Sequence, residues 1–152
     1  MKRILETEIR IGLAPLRAIH LFTPKGEEDW VPGWKPRYIE PSTHETVTGM
    51  VFETAAGGER TIWTCLDWSP REGRASYLRV VPDARVSRVD VHCRGDGGTG
   101  SLVGIRYEHV AISREGETWL AGVTQREFEA EIGGWQDDIE AAMAAGRIAT
   151  AA

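Results

Sequence analysis

The sequence predicts an α+β fold in which one antiparallel sheet is covered by a single long C-terminal helix. Three observations point to it. Apolar and polar residues alternate with period two through most of the stretch from about residue 36 to 112, the mark of half-buried strands. The links between those runs, such as "AAGGE", "SPREG", "PDA" and "GDGGTG", carry turn chemistry and are too short for crossover helices, so neighbouring strands must pair antiparallel. Finally, Phe128, Ile132, Trp135, Ile139 and Met143 follow one another at helical spacing and form a single apolar stripe.

Taken in order, "ILETEIRIGL" alternates Ile4, Glu6, Glu8 and Arg10 against Leu5, Thr7, Ile9 and Ile11, which predicts a first strand over about 2 to 12. "APLRAIHLF" places Leu16, Ile19 and Leu21/Phe22 at helical spacing behind Pro15, a residue suited to a first helical turn, and so reads as a short helix. "TPKGEEDWVPGW" starts a second short helix near Gly26, which must stop before Pro32 because the residue ahead of a proline avoids helical dihedrals. Then come "RYIEP", "TGMVFET", "RTIWTCLDW", "ASYLRVVP", "RVSRVDVHCR" and "GSLVGIRYEHVAI", a meander of six strands, or seven with the first. "TQRE" at Thr124 to Glu127 has capping-box spacing and starts the main helix of about six turns, with 115 to 122 as a preceding turn.

Alternation also assigns faces. Arg106 and Glu108 mark the wet side of the last strand, which turns Val103, Ile105, Tyr107, His109 and Ala111 inward. Arg88, Asp90, His92 and Arg94 do the same for the strand before it, so Val89, Val91 and Cys93 face the core and His92 is solvated. Glu53 sends Met50 and Phe52 in. "TIWTCLDW" is apolar on both parities; Trp63 is assigned to the inside. Tyr77 and Arg79 share a face, and the simpler placement is an outer face with a snorkelling arginine. The alternative is a buried arginine that anchors a ligand carboxylate.

The order of strand, two short helices, six-stranded meander and long helix resembles the START-like, or SRPBCC, superfamily. The resemblance runs over almost the whole chain and is carried by "LRAIHLFT" leading into "EEDWVPGW", by "GMVFET", by "TIWTCLDWSP" and by the Trp135 helix. It implies a helix-grip fold: a curved seven-stranded antiparallel sheet wrapped around the C-terminal helix, with two short helices between strands 1 and 2 and a hydrophobic cavity inside. The superfamily includes lipid-transfer domains, polyketide cyclases and dehydrases, and a chaperone-activator branch. It shares no single catalytic set, so no active site transfers by motif.

With that cavity in mind, "GEEDWVPGWKPRYIEP" acquires a meaning. Trp30 and Trp34 either fill core or lie across the cavity mouth, rings buried and each N–H partnered. Met50, Phe52, Trp63, Val91, Ile105, Phe128 and Trp135 are the candidate lining, with Tyr107 and His109 as polar groups that orient a ligand. The expected function is binding of a small hydrophobic molecule, a lipid, polyketide-like or aromatic compound. Two other readings stay open: a cyclase/dehydrase-like enzyme with Tyr107 and His109 as acid/base groups, and a protein-interaction module using the convex sheet.

Gly133 and Gly134 interrupt the main helix, each costing about 1 kcal/mol relative to alanine. Close helix-to-sheet approach and a bend that opens room for ligand are the two explanations.

Composition and motifs exclude other classes. A chain of 152 residues fits a single domain over 1–152, large enough to bury roughly 68–70% of its unfolded surface. The net charge of −5 and the lack of a basic tract argue against a nucleic-acid partner. No apolar run is long enough for stable membrane insertion. "MKRILETEIRI" lacks the apolar core of a signal peptide, so a cytoplasmic location and reduced Cys65 and Cys93 are expected. "GDGGTG" is followed by a strand rather than a helix and is a hairpin turn, not a dinucleotide fingerprint. Ser101 lacks the G-x-S-x-G elbow, Asp137 and Asp138 flank a solvated helix, and His20, His44, His92 and His109 have no zinc spacing. No cofactor and no metal is expected; a homodimer stays open.

Overall fold

The computed structural model describes residues 1–150. Seven strands form one sheet with order β1-β7-β6-β5-β4-β3-β2. They are β1 (Lys2–Ile11), β2 (Arg37–Glu40), β3 (Val51–Thr54), β4 (Thr61–Ser69), β5 (Arg74–Val81), β6 (Arg85–Gly95) and β7 (Ser101–Ala111). Every neighbouring pair is antiparallel, as short links demand. The segment after β1 folds into α1 (Pro15–Ala18), a 3-10 turn over Ile19–Phe22, and α2 (Pro24–Glu27). Thus α2 begins ahead of the Gly26 expected from sequence. Pro24 stands at the first helical position, and the Thr23 hydroxyl caps the helix by accepting from the Gly26 amide at 2.9 Å.

After β7 the chain forms α3 (Arg114–Ala121) and α4 (Gln125–Ala144). The expected turn over 115 to 122 is therefore a helix. Its polar sequence hides it, since only Gly116 and Leu120 are buried, but Ser113 caps it through the Gly116 amide at 3.1 Å. The Thr124 hydroxyl likewise accepts from the Glu127 amide at 3.1 Å, where the capping spacing placed the start of α4.

The outward face of the sheet combines an apolar row, Ile62, Val80, Val86 and Val110, with charged residues. Arg106 pairs with Glu6, Asp90 and Glu108, Arg94 with Glu8, and Lys2 with Glu108. The inward face meets α4 in one apolar cluster that includes Leu5, Ile105, Ile132 and Ile139. Burying each such side chain stabilises the fold by about 1.5–3 kcal/mol. α4 also protects the β1 edge: Gln125 Nε2 donates to the Glu6 carbonyl at 2.8 Å, and the Arg10 amide donates to Gln136 Oε1 at 2.9 Å. Two side-chain amides satisfy backbone groups that would otherwise invite another strand.

The ambiguity of β4 has a local cause. A register shift between Cys65 and Asp67 inserts an extra residue, so that Trp63 and Cys65 before it, and Trp68 after it, share the inner face. Leu66, the bulged residue, is exposed. Among the described residues no helix is long and apolar enough to cross a membrane.

Candidate functional site

Between the inward face of the sheet, the α1–α2 segment and α4 the side chains do not close up. A cavity of about 220 Å³ remains. Trp30, Trp34, Phe52, Trp63, Val91 and Trp135 border it, and Phe22, Tyr77 and Tyr107 complete much of the wall. The aromatic rings brace one another: Phe52 and Trp63 stack with centroids 5.5 Å apart, while Trp30 meets Trp135 edge-on at 5.7 Å and Trp34 meets Trp63 edge-on at 5.9 Å.

The two tryptophans of the Pro- and Gly-rich loop are held by their indole N–H groups. Trp30 Nε1 donates to the Leu21 carbonyl and Trp34 Nε1 to the Pro24 carbonyl, each at 2.8 Å. Trp63 Nε1 donates to Thr54 Oγ1 at 3.0 Å. With those donors satisfied inside the protein, the indoles offer the cavity apolar surface. Gly26 makes the arrangement feasible, because a Cβ there would sit 1.9 Å from the His20 carbonyl oxygen.

Charged groups also reach this apolar chamber. The inner parity of β5 carries Tyr77 and Arg79, so the outer, snorkelling placement of Arg79 is overturned. The register explains it: Tyr77 lies opposite Cys65 and Val89, both inward residues. The Tyr77 hydroxyl donates to the Phe22 carbonyl at 2.7 Å. The Arg79 guanidinium sits 5.4 Å from the Trp63 ring centroid and 5.2 Å from that of Tyr107, making no ion pair among the described residues. Its Nε is buried with no hydrogen-bond partner among the described residues. Each cation–π contact offsets about 0.5–2 kcal/mol, against about 1–3 kcal/mol for an unsatisfied donor.

Glu27, on α2, lines the same cavity. Burial pushes its carboxyl up from 4.5 to about 8, against a smaller opposing pull from Arg79. Desolvation wins over attraction, so the group is mostly protonated at neutral pH. The Tyr107 hydroxyl is likewise held above its ordinary range by burial.

A second hollow, of about 500 Å³, shares part of its lining with the first and is bordered by Gly122, Val123 and Thr124 at the α3–α4 junction. Arg79, Tyr107 and Glu131 border both. The second adds Arg85, His109, Trp119 and Phe128. His109 is buried and exchanges a 2.6 Å hydrogen bond with Ser87 through Nδ1; burial, with Arg79 and Arg85 nearby, pushes its pKa down from 6.5 to about 4.

The sequence-derived candidates therefore divide. Trp30, Trp34, Phe52, Trp63, Val91, Tyr107 and Trp135 border the apolar cavity. Phe128 and His109 border the adjoining hollow, as does Tyr107. Met50 and Ile105 are buried core residues on neither wall. Sequence reasoning missed Glu27, Arg85, Trp119 and Glu131. Arg85 had a usable signal, because it shares the parity of Val89 and Val91 two steps earlier in the same strand. Among the described residues, no group of three or more His, Cys, Asp or Glu converges as metal ligands would.

No protein-family model matches this chain, and no curated protein matches it in sequence. Solved structures do match it. Norcoclaurine synthase from Thalictrum flavum superposes with a TM-score of 0.65 at 10% identity, covering 90% of this chain and 86% of that one. Ginseng major latex-like protein 151 from Panax ginseng gives 0.69 at 14% identity, covering 93% and 97%. The di-domain ARO/CYC protein BexL, from the BE-7585A biosynthetic pathway, gives 0.67 at 14% identity, covering 91% of this chain and 46% of that one. At such identities the likeness is one of fold. The shared architecture is a helix-grip fold, the fold that the sequence resemblance implied.

Proposed function

We propose that the protein binds a small hydrophobic molecule in the cavity between the sheet and α4. The observation that carries this reading is the cavity wall itself: four tryptophans and several other apolar side chains border empty space. A fold of this size ordinarily packs its aromatic residues to near-crystalline density, and an apolar void forfeits those contacts. An apolar ligand would recover them, at about 25 cal/mol per Å² of apolar surface removed from water. The free, buried Cys65 and Cys93 fit a cytoplasmic setting. Intrinsic tryptophan fluorescence, titrated with fatty acids, sterols and aromatic polyketides, tests the proposal. Saturable quenching by at least one class is expected, and a flat response to all three counts against it.

A second reading, a cyclase- or dehydrase-like enzyme using the same cavity, is favoured by one specific feature. Glu27 holds a carboxyl with a pKa near 8 at the wall of an apolar chamber, the tuning a general acid or base requires near neutral pH. His109 suits that role less well, since it borders the adjoining hollow and spends Nδ1 on Ser87. Under this reading Glu27→Gln abolishes turnover of a poly-β-keto substrate while binding persists.

A further inference from the structure

The arginines on the inward face of the sheet ask for something that the hydrophobic-ligand reading alone does not supply. Arg79 and Arg85 are on different strands, β5 and β6, yet both line the hollow beside the apolar cavity. Each has a buried Nε with no hydrogen-bond partner among the described residues. Arg85 is only 6% exposed, lies 3.7 Å from the Trp119 ring centroid, and gives Nη2 to Glu59 at 2.7 Å, leaving Nε unused. Arg79 pairs with no carboxylate among the described residues. Buried guanidinium donors without acceptors are costly to maintain, and a planar oxyanion matches their forked geometry.

We infer that the ligand is an organic carboxylate whose apolar body fills the aromatic cavity and whose acid group lies between Arg79 and Arg85 in the adjoining hollow. This rests on the cavity being a ligand site and names the chemical class of its occupant. The shared border of Arg79, Tyr107 and Glu131 puts the two spaces side by side, as one amphipathic molecule requires. His109 brings no charge at neutral pH, its pKa lying near 4. Glu127 and Glu131, also on the border of the hollow, oppose an anion, but both are exposed on α4 and screened by solvent. A cationic ligand would have to face two guanidinium groups, one of which, Arg79, makes no ion pair among the described residues.

Calorimetric titration at neutral pH with 2-naphthoate, 2-naphthamide and 2-naphthylmethylammonium tests this, using wild type, Arg79→Gln and Arg85→Gln. In wild type the acid binds about tenfold or more tightly than the amide, as charge-assisted hydrogen bonds to arginine require, and the amine binds weakest. Each substitution brings the acid down to the level of the amide measured in the same variant. If either variant fails to fold, Arg79→Lys and Arg85→Lys retain the charge but not the fork, and the acid's advantage shrinks. Equal binding of acid and amide by wild type overturns the inference and leaves the hydrophobic-ligand reading standing. Absence of binding by all three probes, together with a flat fluorescence panel, removes both.

Discussion

Ser87 and His109, on neighbouring strands at paired positions, share a 2.6 Å hydrogen bond inside the protein. The imidazole is kept neutral there, because burial and two nearby arginines disfavour its charged form. Its pKa falls from 6.5 to about 4 on folding, so between those values the unfolded chain binds the extra proton. The stability that this contributes is present above pH 6.5 and lost as pH falls toward 4. Urea denaturation of wild type and His109→Gln at pH values spanning that window checks it. The variant loses less stability on acidification than wild type; identical slopes would place the histidine in water.

Glu27 acts in the opposite sense. Its carboxyl rises from 4.5 to about 8 on folding, so within that range the folded chain holds the proton. The stability associated with it is complete below pH 4.5 and disappears as pH rises through about 8. Replacing Glu27 by Gln mimics the protonated state, so the variant gains stability relative to wild type as pH rises from 4.5, and the difference levels off above about 8. A carbon-13 NMR titration of the glutamate carboxyls in wild type gives an independent reading, with one resonance shifting near pH 8 and missing from the variant. A full set of glutamates titrating near their ordinary pKa would refute the burial argument.

Trp30 and Trp34 border one cavity but are not equivalent. Trp30 is 5% exposed and packs edge-on against Phe22 and Trp135, whereas Trp34 is half-buried against Phe52 and Trp63. Trp30→Ala should therefore cost about 3–5 kcal/mol of stability, the usual loss for a large core truncation. Trp34→Ala should cost less in denaturant titration but weaken 2-naphthamide binding more than the stability change accounts for. Equal stability losses would mean that both indoles are core and neither is wall.

Much of this architecture is legible in the sequence because period-two alternation and short turns leave an antiparallel meander few alternatives. The inward set of β7, from Val103 to His109, follows from one parity rule and two charged neighbours. β4 defeats that rule because the bulge at Leu66 changes parity in mid-strand, leaving both faces apolar. β5 defeats it differently: the inward arginine is stabilised by Trp63 and Tyr107, partners that only the folded sheet brings near. Glu27 is hidden in an acidic run whose neighbours Glu28 and Asp29 are exposed, and nothing in composition separates the carboxyl that turns toward the cavity. α3 escapes because it is polar almost throughout.

Glycines supply a paired test of how the helices are seated. A Cβ built at Gly133 or Gly134 meets no heavy atom within 4 Å, so close approach of α4 to the sheet is not why they are glycine. Alanine at either position should stabilise the protein by about 0.8–1 kcal/mol through helix propensity, raising Tm by about 2–4 °C. Gly26 is the reverse case, since its Cβ would lie 1.9 Å from the His20 carbonyl oxygen and 3.0 Å from the Leu21 Cα. Those neighbours are backbone atoms and cannot rotate away, so Gly26→Ala should cost about 1–3 kcal/mol, as overpacking does. Because α2 carries Glu27 and its C-terminal end leads directly to Trp30, the same substitution should also disturb 2-naphthamide binding. Scanning calorimetry and ligand titration of Gly134→Ala and Gly26→Ala check both signs. A destabilised Gly134→Ala would mean that the surface of α4 beside Trp135 is occupied, and a fully stable Gly26→Ala would mean that α2 does not rest on the turn beneath it.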